Sequence, residues 1–339
     1  MSATTPTQVT PERIMQFAWA YAPPLIIEAA IRNNIFDQLD ASPKTVQELV
    51  AATGASERGI AAIANVLVGL ELLTKDGTGK FSLTSESAAF LVRSKPSFMG
   101  GLILHTSGHM IPRWLHLNDV VRTGHPFRSV NQEETGSEFF ESFVVDIFPM
   151  SYPPAKTLAA HLRLSESKEP VRVLDLAAGS GVWGIAQAQS SPNVRVTAVD
   201  WPSVLETTKK MVAKFGLTDQ FSFTPGDLDS ADFGSGYHIA TLGHIFHSEG
   251  EKRSKELIAK TFNALAPGGT IVVQEFLVNK ERTGPPNGLI FAVNMLINTD
   301  DGSTWSFEEI GSWLTDDGFV NPRTVDAPGP SPLILATKP

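Results

Sequence analysis

Three acids stand where apolar runs of this chain end, and a turn of small residues separates the first two. Val171 to Leu174 is a β-branched run that ends in Asp175; Ala177-Ala-Gly-Ser-Gly181 follows, and a second run, Val194 to Val199, ends in Asp200. A third segment, Phe221 to Thr224, runs into Gly226-Asp227. Small side chains let backbone N–H groups come close to a ligand, and carboxylates at strand tips accept hydrogen bonds from ribose hydroxyls. The pattern suits an adenosine-containing cofactor. Two histidines, His244 and His247, come just after the apolar segment Ile239 to Leu242. An imidazole titrating near 6.5 is the side chain suited to taking a proton from a hydroxyl at neutral pH.

These residues need a strand, turn, helix and strand to hold them, with both acids at the carboxyl edge of a parallel sheet. Gly179-Ser-Gly181-Val-Trp-Gly184 also satisfies the dinucleotide pattern G-x-G-x-x-G, which alone is a weak signal. Three features oppose a nicotinamide cofactor. Asp175 sits beside the helix N-terminus where a pyrophosphate would be repelled. The glycine-rich unit begins halfway down the chain, and Gly226-Asp227 adds a further acid at the third strand's tip. S-adenosylmethionine, with an amino group, a ribose and an adenine but no phosphate, fits better.

Composition sets the outer limits. A chain of 339 residues, 42% hydrophobic and 19% charged, is an ordinary globular protein of about two domains. The polar start, Met1 to Pro11, lacks a basic segment followed by an apolar run, and no segment has 18 uninterrupted apolar residues. The expectation is a cytoplasmic protein with no membrane partner. Zero cysteines exclude disulfides, thiolate metal sites and cysteine nucleophiles. A net charge of −9 argues against nucleic acid as a partner.

Pro11 to Leu39 reads as two helices broken at Pro23-Pro24, and Thr45 to Leu73 as a helix, a Gly54-Ala-Ser turn and a longer apolar helix. A hairpin around Asp76-Gly77 follows, completing the order of a winged helix. Met1 to Lys95 carries eight Lys and Arg against nine Asp and Glu, and the helix from Glu57 to Leu72 offers a DNA groove one arginine, Arg58. Its apolar faces suit burial in an interface. Ser97 to Leu164 reads as helical, interrupted at Gly124-His-Pro-Phe127. Its aromatic run from Phe139 to Tyr152 is core in part; the rest, with Phe291, Asn294, Met295 and Asn298, would wall an apolar acceptor pocket.

The motifs resemble those of the class I S-adenosylmethionine-dependent small-molecule O-methyltransferases that carry an amino-terminal winged-helix dimerisation domain. Asp175-Leu-Ala-Ala-Gly-Ser-Gly181 stands at the family's Asp-x-Gly-Gly-Gly-x-Gly, Asp200-Trp201-Pro202 at Asp-Leu-Pro, and Gly226-Asp227-Leu228 at Gly-Asp-Met. Leu265-Ala-Pro-Gly-Gly269 and Asp317-Gly-Phe319 extend the likeness over nearly the whole chain. It implies an α/β fold, a Rossmann-like seven-stranded sheet that is mostly parallel with one antiparallel strand near the carboxy terminus, beside a mainly helical winged-helix domain. The implied divisions are 1–95 for dimerisation, 96–165 for a helical connector lining the substrate pocket, and 166–339 for the catalytic domain. The implied assembly is a homodimer.

By the same resemblance, His247 in Phe246-His-Ser-Glu249 is the general base, and Glu275, 28 residues later, orients it. The cofactor would meet Asp175, Gly179, Gly181, Asp200, Trp201, Gly226, Asp227, Leu228, Gly243 and Ser151. Phe143, Met150 and His244 would join the acceptor pocket. Ala177 and Ala178 replace two glycines of the family turn, and three further departures touch the site. Ser248-Glu249 replaces an Asp-Trp, Gly243 replaces a cofactor-contacting side chain, and the second family acid falls on Thr304, with Asp300 and Asp301 nearby. Asp227, Asp229 and Asp232 form the one dense acid cluster; Asp227 is assigned to the adenosine and the other two read as a solvated loop, so no metal is expected. Methyl transfer to oxygen of an aromatic or polyketide-like molecule is the expected function. Carbon or nitrogen methylation, a non-methylating relative that binds the same cofactor, a nicotinamide oxidoreductase and a winged-helix DNA-binding regulator are the alternatives.

Overall fold

A computed structural model describes residues 9–131 and 133–339, so most of the polar start lies outside the described residues. The chain divides into two compact units, Met1–Ile111 and Pro112–Pro339.

The first unit holds helices α1 (Glu12–Trp19), α2 (Ala22–Arg32), α3 (Ile35–Ala41), α4 (Val46–Thr53) and α5 (Glu57–Gly69), then strands β1 (Leu73–Lys75) and β2 (Phe81–Leu83). Helices α6 (Ser85–Phe90) and α7 (Gly100–His105) follow. The break expected at Pro23-Pro24 falls instead at Ala20 and Tyr21, and three helices replace the two expected. Both prolines lie in the first turn of α2, where no intrahelical N–H bond is required. Thr45 and Glu48 form a capping box on α4, and β1 pairs antiparallel with β2 around the Asp76 turn. Ile31, Phe36, Leu49, Ile60, Leu67 and Phe81 fill the core of this unit. Ile14, Met15, Phe17, Trp19 and Tyr21 stay more than half exposed. The stretch Glu12–Arg32 is, among the described residues, the one helical segment long and apolar enough to cross a membrane, yet it carries charges at both ends.

Helix α8 (Ile111–Trp114) spans the division, and the second unit continues with helices α9 (Leu117–Thr123), α10 (Glu133–Asp146) and α11 (Phe148–His161). The sheet and its helices follow: β3 (Val171–Leu176), α12 (Val182–Ala188), β4 (Val194–Asp200), α13 (Pro202–Lys214), β5 (Phe221–Pro225), β6 (Tyr237–Gly243), α14 (Phe246–Ala264) and β7 (Leu265–Gln274). Helices α15 (Pro286–Asn298) and α16 (Phe307–Asp316) and strands β8 (Val320–Val325) and β9 (Leu333–Thr337) complete it. Strand order is β5-β4-β3-β6-β7-β9-β8, and β9 alone runs antiparallel to both neighbours. Successive residues of β3 enter different cores, Val173 one and Leu174 the other, as expected of a sheet covered on both faces.

The chain runs outward from β3 through β4 to β5 and returns to β6 on the other side of β3. That reversal opens a crevice beyond the carboxyl ends of β3 and β6, where open α/β sheets bind ligands.

Candidate active site

At the tip of β3, Asp175 is fully buried and both its oxygens are engaged. Oδ1 accepts the Thr241 hydroxyl of β6 at 2.7 Å, and Oδ2 accepts the Gly184 N–H of α12 at 3.0 Å. Asp175 therefore ties two strands and a helix together beneath the turn. Burial pushes its pKa up to about 7. The turn above is left-handed at Ala177, Gly179 and Gly181, with φ of 51°, 57° and 75°. Gly181 has a further reason to be glycine, since a Cβ there would lie 2.9 Å from the Thr208 methyl.

Asp200 supports the turn from β4. Its Oδ2 accepts the Gly179 N–H at 2.8 Å and its Oδ1 the Trp201 N–H at 2.7 Å, while burial lifts its pKa to about 6. Trp201 then bridges to the tip of β5, donating its indole N–H to Asp227 at 3.2 Å. Asp227 also accepts the Asp229 N–H and faces Arg253; burial would raise its pKa, but these hydrogen bonds and the nearby cation hold it below the usual range. Gly226 has φ 151° and donates its N–H to the Asp200 carbonyl. Leu228 packs against the core. The edge therefore presents carboxylate acceptors, and the Gly179 N–H is spent on Asp200 rather than aimed outward. That set fits the hydroxyls and amino group of S-adenosylmethionine and disfavours a pyrophosphate.

On the far side of the crevice, β6 and β7 deliver the histidines and Glu275. The His247 N–H meets Glu275 Oε1 at 3.2 Å, and His247 Nδ1 lies 2.8 Å from Glu275 Oε2. Glu275 is 1% exposed. Burial alone would raise its pKa, but the His247 charge and hydrogen bonds reverse the direction, so the carboxyl is held ionised. An ionised carboxylate can only accept, so Nδ1 carries a proton, and when the ring is neutral Nε2 has a free lone pair. His244 follows β6 in a left-handed conformation, φ 60°, with Nδ1 4.0 Å from the same Glu275 oxygen. Burial drops its pKa to about 4, so it is neutral at physiological pH. These three side chains bring ligand-type atoms within 4.8 Å of one another.

The expected acceptor-side residues are partly assembled. Phe291 meets His247 edge-on at 4.9 Å between ring centroids and packs, tilted by 37°, against Phe276 at 4.1 Å. Asn294 accepts the Trp114 indole N–H, and Asn298 accepts from Arg113 at 2.6 Å. Met295 is buried on the same helix, α15. Phe143 is half-buried on α10, whose Val144 would lie 3.2 Å from a Cβ on Gly179, so this helix borders the turn. Met150 and the buried Ser151 lie on α11, which packs against α12. Among the described residues, no hydrogen bond joins Met150 or Ser151 to the acids. Gly243 ends β6, and a Cβ there would lie 2.0 Å from the Trp183 indole nitrogen.

Thr304 is buried, its carbonyl bonded by Arg282, whereas Asp300 and Asp301 are exposed. Among the described residues, none of the three pairs with His247. The acid cluster is also engaged: Arg253 binds Asp227 and Asp229, and Asp232 accepts the Gly234 N–H. Sequence reasoning missed Thr241, Trp183, Phe276, Arg113 and Trp114. Thr241 had a signal, a lone hydroxyl within an apolar strand. The Arg113–Asn298 pair joins residues 185 apart and had none.

Comparison with known proteins agrees with this geometry. The sequence profile of an O-methyltransferase domain matches residues 155–320, and that of an O-methyltransferase dimerisation domain matches residues 15–93. The 3-hydroxy-5-methyl-1-naphthoate 3-O-methyltransferase of Streptomyces sahachiroi is 28% identical over 99% of this chain and 98% of that protein. The tetracenomycin polyketide synthesis 8-O-methyltransferase of Streptomyces glaucescens is 26% identical over 97% of both. The fold superposes on human N-acetylserotonin methyltransferase, solved in complex with S-adenosylmethionine, with a TM-score of 0.83 at 22% identity over 99% of each chain. From its edge of strand-tip acids, its His–Glu pair and these matches, the chain belongs to the S-adenosylmethionine-dependent O-methyltransferases that carry an amino-terminal dimerisation domain.

Proposed function

We propose that this enzyme methylates a hydroxyl of a small aromatic or polyketide-like molecule, with His247 as general base and Glu275 as its positioning partner. The observation that carries the reading is the 2.8 Å contact between His247 Nδ1 and the buried Glu275 carboxylate, which leaves Nε2 as the acceptor of a proton. The bound cofactor supplies an electrophilic methyl group on a sulfonium, so the protein's task is alignment and proton removal. A phenol near pKa 10 is mostly protonated at neutral pH. His247 Nε2 takes that proton as the acceptor oxygen bonds to the methyl carbon and the carbon–sulfur bond breaks to leave a neutral thioether, and the Glu275 carboxylate stabilises the resulting imidazolium. Phe276 and Phe291 supply flat apolar faces for an aromatic ring, and the hydroxylated naphthoate and polyketide acceptors named for the two Streptomyces relatives support that class.

In this reading Asp200, Trp201, Gly226, Asp227 and Leu228 hold the adenosine side, while Gly179, Gly181, Gly243 and Ser151 border the remainder of the cofactor. Asp175 acts through the turn it braces. Phe143, Met150, His244, Asn294, Met295 and Asn298 belong to the acceptor side. The reaction uses no metal: Arg253 pairs with Asp227 and Asp229, and Glu275 is committed to His247. Residues 1–95 form a homodimer interface, 96–165 the connector and 166–339 the catalytic domain. Exposed Ile14, Met15, Phe17, Trp19 and Tyr21 support an interface between two copies. A cytoplasmic enzyme of secondary metabolism fits these features.

The test uses methyl-labelled S-adenosylmethionine with a panel of hydroxylated naphthoates and aromatic polyketides. A label recovered as an aromatic methoxy group supports the proposal. A label recovered on carbon or nitrogen, or no transfer across the panel, counts against it.

A further inference from the structure

Trp183 has an indole that its surroundings do not explain. It follows the Gly179-Ser-Gly181 turn on the first turn of α12, is 5% exposed, and packs among Phe148, Leu158 and Ile239. An indole N–H normally finds a partner, in the protein or outside it. Here the ring is buried but Nε1 itself is not sealed off, and it donates to no acceptor among the described residues; it lies so close to the end of β6 that a Cβ on Gly243 would be 2.0 Å away. The donor is therefore held at the crevice between β3 and β6 with its hydrogen-bonding capacity unspent.

The order of strands says which part of a ligand passes there. Carboxylates that can accept from an adenosine stand at the tips of β4 and β5, Asp200 and Asp227. The proposed base, His247, stands beyond β6 and β7. A cofactor with its adenosine over β4 and β5 and its methyl group toward His247 must lay its amino-acid portion over β3 and β6. That portion bears the one anion of S-adenosylmethionine, and an anion needs a donor that the acids of this edge cannot provide.

We propose that the Trp183 Nε1–H binds the amino-acid carboxylate of S-adenosylmethionine. The inference rests on the cofactor reading above. It also gives Gly243 a role, since any side chain at that position would displace the indole.

The test compares two ligands by calorimetry: S-adenosylhomocysteine, which keeps the carboxylate, and 5′-methylthioadenosine, which lacks the amino-acid portion. Trp183→Phe keeps most of the apolar packing and removes the N–H. The variant is expected to bind S-adenosylhomocysteine about tenfold or more weaker, as for loss of a hydrogen bond to a charged group, with 5′-methylthioadenosine affinity unchanged. Unchanged affinity for both ligands, or an equal loss for both, overturns the proposal. If wild-type protein binds neither ligand, the cofactor reading itself has failed.

Should Trp183→Phe not fold, the indole 15N–1H spectrum of the wild-type protein decides the matter. One of its six tryptophan signals should shift with S-adenosylhomocysteine and not with 5′-methylthioadenosine. Trp201, at the adenosine end, should shift with both. No signal selective for the amino-acid portion would overturn the inference.

Discussion

Glu275→Gln separates charge from shape at the proposed base. The amide is nearly isosteric with the carboxylate, so Phe276 and Phe291 keep their neighbours, but the negative charge 2.8 Å from His247 Nδ1 is gone. Two charges about 4 Å apart at an effective dielectric near 20 attract by about 4 kcal/mol, a stabilisation that wild type gains when His247 becomes an imidazolium in the transition state and that the variant lacks. The expected fall in the methyl-transfer rate constant is about 10³-fold, and the amide also weakens control of the imidazole tautomer. Single-turnover transfer of a labelled methyl group, with enzyme and cofactor in excess over acceptor, isolates this step from product release. S-adenosylhomocysteine affinity should stay within about twofold of wild type. A single-turnover rate within about threefold of wild type would refute the role of the pair, because so small a change leaves nothing for the carboxylate to stabilise.

Three further outcomes follow from the same geometry. Burial sets the Asp200 pKa at about 6, and its ionised form is the better acceptor, so wild-type affinity for S-adenosylhomocysteine should be level above pH 7 and fall by up to about tenfold per unit below 6; a flat calorimetric profile from pH 7.5 to 5 would contradict this. Burial lowers the His244 pKa from 6.5 to about 4, so the unfolded chain binds the proton first and stability present above 6.5 is lost as pH falls toward 4. In urea unfolding, His244→Gln should therefore lose about 2 kcal/mol less than wild type between pH 7 and 4.5, and equal losses would count against a neutral buried His244. Thr241→Val removes the hydroxyl that Asp175 accepts at 2.7 Å and should lower stability by about 1–3 kcal/mol, read as a reduced urea midpoint; an unchanged midpoint would mean that Asp175 finds another donor.

The sheet and its cofactor edge were legible because they are local. Each acid lies at the end of its own apolar run, and the strand-turn-helix order then carries Asp175 and Asp200 to one edge. Residues His247 and Glu275 were paired through family resemblance, and their contact follows from β6 and β7 being parallel neighbours. What stayed hidden depends on packing between distant elements. Arg113 and Trp114 reach Asn298 and Asn294 across about half the chain, and nothing in either segment announces the other. The prolines of α2 misled for a different reason: their position relative to the helix start decides whether they break a helix or begin one. Ala177, in place of a family glycine, still adopts φ 51°, so the turn keeps its left-handed backbone at a conformational cost of about 1 kcal/mol.

The most direct test of the cofactor edge is calorimetric titration of S-adenosylhomocysteine into wild-type protein and Asp200→Ala, with NAD as a control ligand. Wild type should bind S-adenosylhomocysteine in the micromolar range and ignore NAD, and the variant should lose at least about tenfold in affinity while remaining folded. Tight binding of NAD, or equal S-adenosylhomocysteine affinity in both proteins, would contradict the assignment of the β3–β5 edge to S-adenosylmethionine.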